Sequence, residues 1–259
     1  MIDKEKRVRY ENGSLKEVII QLRFPTILSV NVKQPVELQE RIKDLYPFFQ
    51  EQNESQNNVV VNPAVQEVSF KKISESKNYA FVSSDAKSKF NLTPSFIAFS
   101  SVNYIQWELF KENVEFLLDA FEELYQPPFY NRIGLHYINA FTREELGIKE
   151  KKWTELLQPH ILGMISPENE DGVKSYVSEI VYSTRIEDVL SRNHVELVHI
   201  NNQKEVSLLL DCDYFIQGKT IGKEGVPECM EKLHDASHHF IDNAITDELY
   251  TIMKPIAIE

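Results

Sequence analysis

Two stretches decide the fold: KEVIIQLRF at residues 16–24 and NRIGLHYINAF at residues 131–141. In the first, Val18, Ile20, Leu22 and Phe24 alternate with Glu17, Ile19, Gln21 and Arg23, the period-two pattern of a strand with one face in a core. In the second, Ile133, Leu135 and Tyr137 alternate with Arg132, Gly134 and His136. The same order of elements follows each. After the first stretch the spacing of Leu38, Ile42, Leu45 and Phe49 predicts a helix over 35–50, with Pro47 loosening its last turn. A polar loop at 51–58 leads to short strands at 59–61, 65–72, 79–83, 90–92 and 96–105, and then to a one-sided helix at 108–125. After the second stretch come a helix around 153–161, strands at 176–183, 195–200 and 205–215, and a helix over 227–250. Gln126-Pro127-Pro128 stops the first long helix and divides the halves.

The order β-α-several β-α therefore recurs about 115 residues apart. The expected fold class is α+β: two tandem β-α-β(n)-α repeats, residues 1–127 and 128–259, with antiparallel sheets packed on long helices as one body. Element order matches the saddle of TATA-binding-protein-like domains; a helix-grip sheet around a long helix gives a similar pattern. That comparison concerns order alone and implies nothing about DNA.

Composition narrows the function classes. With 42% hydrophobic and 26% charged residues, the chain has the balance of an ordinary globular protein. A formal net charge of −12 gives it no general attraction to nucleic acid or to an anionic membrane. Only 8 glycines are present, and no GxGxxG, Walker-type or GxSxG motif occurs, so no cofactor is expected and a non-catalytic role is favoured. The opening residues MIDKEKRVRY lack the apolar core of a secretory signal, and no apolar run approaches membrane-spanning length. Together with just two cysteines, Cys212 and Cys229, read as reduced, these features lead to the expectation of a cytoplasmic protein.

Candidate site residues come from the opening strands. If the two halves join through them, Glu17, Gln21, Arg23, Arg132 and His136 converge on one central sheet surface. Arginine forks there could hold a carboxylate, phosphate or peptide, or the same groups could form a structural ion-pair network between the halves. Asn139 falls on the opposite face and is read as a strand-end cap. Asp211 and Asp213, two apart in LDCDY, share a strand face with Glu205 and are weak candidates for Mg²⁺ or Ca²⁺; an exposed strand face, or pairing with an arginine of a neighbouring strand, is the plainer alternative. His234 and His238, one turn apart beside Glu231 and Asp242, have zinc-compatible spacing but lack the HExxH core, so they are read as a solvated polar face.

Four segments carry a resemblance: Asn12 to Val18 continuing to Gln21-Leu22-Arg23-Phe24; Tyr104, Trp107 and Phe110; Arg132 to Asn139; and Leu210 to Tyr214. In these the chain resembles a sporadically distributed, functionally uncharacterised bacterial and archaeal family of about this length. Ser14 stands where that family usually has Pro, and His136 where it has Arg. Because histidine can lose its charge near neutral pH, an anion site at His136 is expected to weaken in alkali. The resemblance implies accessory genes near restriction or other defence loci, and hence a protein-interaction or regulatory component that engages another protein of its locus. The alternatives are a sensor of a small anionic ligand or nucleotide on the central sheet surface and, least favoured, an Mg²⁺-dependent hydrolase or nuclease using Asp211 and Asp213.

Overall fold

A computed structural model describes residues 8–62, 67–199 and 205–257. The chain runs β1 (Val8–Tyr10), β2 (Leu15–Arg23), α1 (Ser29–Val32), α2 (Val36–Ile42), β3 (Phe48–Asn62), β4 (Glu67–Val82), β5 (Ser88–Leu92), β6 (Phe96–Ser101) and α3 (Trp107–Tyr125). It continues through β7 (Tyr130–Phe141), α4 (Trp153–Leu156), α5 (Pro159–Leu162), β8 (Val177–Ser183), β9 (Leu190–Val198), β10 (Ser207–Ile221), α6 (Val226–Ala244), α7 (Asp247–Ile252) and β11 (Pro255–Ala257). The protein is α+β. Among the described residues no helix is long and apolar enough to cross a membrane.

One antiparallel sheet organises the molecule, with strand order β3-β4-β5-β6-β2-β7-β10-β9-β8. The two strands that open the halves, β2 and β7, lie side by side at its middle, pairing Arg23 with Arg132, Gln21 with Gly134 and Ile19 with His136. From that pair each half runs outward in reverse chain order, so β3 and β8 form the two ends. A separate ribbon of β1 and β11 joins the described chain ends, with Val8 opposite Ala257.

Period-two alternation sorts the side chains. Val18, Ile20, Leu22, Ile133, Leu135, Leu208, Leu210 and Tyr214 turn to one face and are buried there. Against them lie Phe110, Val114, Leu117 and Phe121 of α3, and Val226, Met230 and Leu233 of α6, all in one core. Such a stripe at helical spacing is what lets a 19-residue helix cover a sheet. Full burial of a Leu or Phe contributes roughly 1.5–3 kcal/mol. The opposite face carries Ile19, Gln21, Arg23, Arg132, His136 and Asp211 and stays partly exposed.

Several elements differ from expectation for local reasons. The helix predicted over 35–50 ends at Ile42. Pro47 disfavours helical backbone at Tyr46, and Phe49 instead enters β3, where its ring lies 6.0 Å from Tyr79 and 5.5 Å from Phe81. The polar stretch 51–58 belongs to β3 as well, because ladder bonds to β4 use backbone groups whatever the side chains. The strands expected at 65–72 and 79–83 are parts of one strand, β4, with residues 65 and 66 outside the described segments. The helix around 153–161 is two single turns, α4 and α5, broken before Pro159. The last helix stops at Ala244: Ile245 is extended and bridges Leu157, and Thr246 caps α7 by accepting the Leu249 N–H at 3.3 Å.

Candidate functional site

The open sheet face gathers Gln21, Arg23, Arg132 and His136 at the β2–β7 seam, and the neighbouring β10 adds a carboxylate to them. Arg132 donates through one nitrogen to both oxygens of Asp213, at 2.7 and 3.0 Å. His136 Nε2 lies 3.4 Å from Asp213 and 3.6 Å from Asp211. The Arg132 guanidinium folds back over the strand, 4.7 Å from the Phe215 ring centroid. It can do so because residue 134 is glycine: a Cβ there would sit 2.4 Å from Arg132 Nη1. Burial alone would raise the Asp213 pKa, yet His136 and Arg132 outweigh it and hold the carboxyl below its ordinary value. Across the sheet the next residue is Arg192, which pairs with Glu179 of β8 at 2.7 Å.

Of the two plainer alternatives for Asp213, an exposed strand face or pairing with a neighbouring arginine, the arrangement has the second. Arg132 is already matched by Asp213, so it is a poor free anion fork. Arg23 donates to Gln21 at 2.7 Å and forms no ion pair among the described residues. Glu17 lies one row away, opposite Ile138, on the same face. Asp211 and Asp213 face His136 and Arg132 rather than an acid cluster. Glu205 is withdrawn from them altogether, buried and bonded to Arg143 at 2.9 Å. Among the described residues no three His, Cys, Asp or Glu side chains gather as a metal would require.

The outer strand β8 is a second feature. Among the described residues it pairs with β9 on one side only. Val177 is 61% exposed, Ile180 57%, Val181 57% and Tyr182 38%, so apolar side chains stand out from both faces. Its single charge, Glu179, is engaged by Arg192. The opposite end of the sheet differs: β3 carries Gln50, Glu51, Gln52 and Asn53, with Glu51 bonded to Lys77. Charges are a common way of blunting a sheet edge, and β8 carries just one, already engaged by Arg192. A strand was expected at 176–183, but only the fold reveals that it is terminal.

The third feature is a cavity of about 380 Å³ on the helix side, lined in part by the β1 segment. Its wall includes Tyr10, Ser14, Trp107, Tyr137, Asn139 and His234. The four segments singled out in the sequence thus meet around one space, because β2, β7 and β10 are adjacent and α3 begins above them. Ser14 donates to Asn139 Oδ1 at 3.1 Å. Asn139 is therefore an interior residue of β7, correcting its assignment as a strand-end cap. His234 is corrected too: it is 7% exposed, stacked on Trp107 at 4.3 Å between centroids and 6° between planes, and hydrogen-bonded to Tyr137 at 3.1 Å. Trp107 offers it a stacking surface that solvent lacks, and the Tyr137 hydroxyl replaces a hydrogen bond to water. Asp242 also turns inward and accepts from Tyr10 at 3.1 Å, while the side chain of His238 lies outside the described residues. Burial pushes the Tyr137 hydroxyl and the Cys212 thiol up, keeping both neutral.

Compared with known proteins, the chain matches no family model, and no curated protein matches it.

Proposed function

We propose that the chain is a non-catalytic protein-interaction component that receives an extended segment of another protein along the outer edge of β8. The observation that carries this reading is a seven-residue terminal strand with four apolar side chains standing in solvent and one backbone edge without a strand partner among the described residues. Adding a strand to such an edge satisfies its backbone groups, and pockets between alternate side chains select the partner. Contiguous exposed apolar surface of this kind marks interaction sites. The family resemblance supplies the first partner to try: another protein encoded at the same locus, a bacterial defence or mobile-element locus. The antiparallel β2–β7 seam, with like element orders on either side, supports the companion reading that the halves are tandem copies of one module.

Native purification followed by mass spectrometry tests the function. A protein partner is expected to travel with the wild type and to fall at least about tenfold in the Val181→Lys variant, since a charge in a desolvated interface costs well over 1.4 kcal/mol. Equal recovery of the partner with a folded Val181→Lys variant, or no partner at all, would reject the proposal.

A further inference from the structure

The two arms of the sheet are built alike and differ in strand count. Outward from the seam, β6, β5, β4 and β3 follow β2, whereas β10, β9 and β8 follow β7. The hairpins β4–β5 and β8–β9 fix the correspondence. Ser83 N–H donates to Ser88 O and Thr184 N–H to Val189 O, each at 2.9 Å and across the same length of chain. The next pairs are Val82 with Lys89 and Ser183 with Leu190. Counting back along each strand, Tyr182 stands where the other arm has Phe81, and Ile180 where it has Tyr79. β8 thus corresponds to β4, and β3 has no counterpart among the described residues. Between β7 and β8 the chain forms α4 and α5 instead.

Burial follows this difference. Tyr79 and Phe81 are buried, and β3 covers their outer edge. Phe49 of β3 pairs with Phe81 across the ladder, its ring 5.5 Å from Phe81 and 6.0 Å from Tyr79. Cross-strand aromatic neighbours of this kind hold a sheet edge together. On the other arm, Ile180 and Tyr182 pair with Asn193 and Ser191, both buried on the helix side, so they occupy the same face as Tyr79 and Phe81. Yet both are exposed, because among the described residues no further strand brings a ring against them.

We infer that the segment received by β8 is the counterpart of β3 supplied by another protein: a strand antiparallel to β8, with aromatic or large aliphatic side chains beside Tyr182 and Ile180 on the helix side. The assignment rests on the edge docking proposed above and adds to it a direction, a face and a side-chain chemistry. Backbone pairing supplies affinity along such an edge, and the alternate seats supply selectivity. The open-sheet face of β8 contributes less, since Glu179 there is already held by Arg192.

A fluorescent peptide copying residues 46–54 is the probe, with Glu51→Val so that an apolar side chain falls beside Ile180. Its anisotropy is expected to rise on titration with the wild-type protein, one peptide binding per chain. Ile180→Ser and Tyr182→Ala are each expected to weaken binding at least about fivefold, while Val177→Ser on the other face changes it by about twofold at most. A benzophenone at the peptide N-terminus is expected to label residues beside Ser183; a parallel strand would carry it to Val177. No peptide binding, labelling at Val177, or binding unchanged by both helix-side variants would overturn the inference. So would a dimer of the protein alone, seen by sedimentation equilibrium and abolished by Tyr182→Ala, because a second copy would then hold the edge. If Tyr182→Ala fails to fold, Ile180→Ser decides. Any of these results beside a co-purified partner that Val181→Lys loses would leave the edge docking itself standing.

Discussion

Gly134 and Asp213 show how single residues shape the sheet seam. Alanine at 134 would press its Cβ against the Arg132 guanidinium, which would have to leave Asp213. The expected cost is about 1–2 kcal/mol, the worth of a partly exposed charge-assisted bond. In an Asp213→Asn background Gly134→Ala should cost markedly less, and chemical denaturation of the double-mutant cycle measures the coupling. Asp213 also sets a pH dependence. Its carboxyl sits below its ordinary value, so the stability it contributes is present above the unfolded-chain pKa near 4 and is lost as pH falls through the lower native value. Urea midpoints are therefore expected to fall more steeply between about pH 5 and pH 2.5 in the wild type than in Asp213→Asn. Parallel slopes in the two proteins would show that the pair adds nothing.

Whole strands and helices decide which residues reach a site. The seam cluster was legible in the sequence because alternation sorts faces without coordinates: Gln21, Arg23, Arg132 and His136 fall together once β2 and β7 are neighbours. His234 was not legible. It neighbours Leu233 on α6, and a polar residue at the border of an apolar stripe turns inward only if the facing helix offers a partner. Trp107, more than a hundred residues away, supplies it. The position of β8 at the sheet end was likewise hidden, because strand order is a long-range property. Its exposure carries an expectation of its own. Ile180→Ser and Val181→Lys should change stability by no more than about 0.5 kcal/mol, since neither side chain is packed. A thermal melt checks this. The contrasting case is Leu233→Ala, fully buried on α6, where a loss of about 2–5 kcal/mol is expected.

At the scale of the molecule, one sheet shared by both halves implies one cooperative unit. Leu135 lies fully buried on β7, beside Ile20 of β2, where the halves meet. Leu135→Ala is expected to lower the melting temperature of the whole protein in a single transition, seen alike by far-UV circular dichroism and tryptophan fluorescence. Two separated transitions would mean halves that fold apart. The proposed docking adds a strand at one end of this sheet and leaves its centre untouched. Hydrogen exchange of the native protein with and without its co-purified partner tests that most directly. New protection of backbone amides in Val177–Ser183 is expected when the partner is present. Protection confined to the seam around Arg132 and His136, with β8 exchanging unchanged, would contradict it.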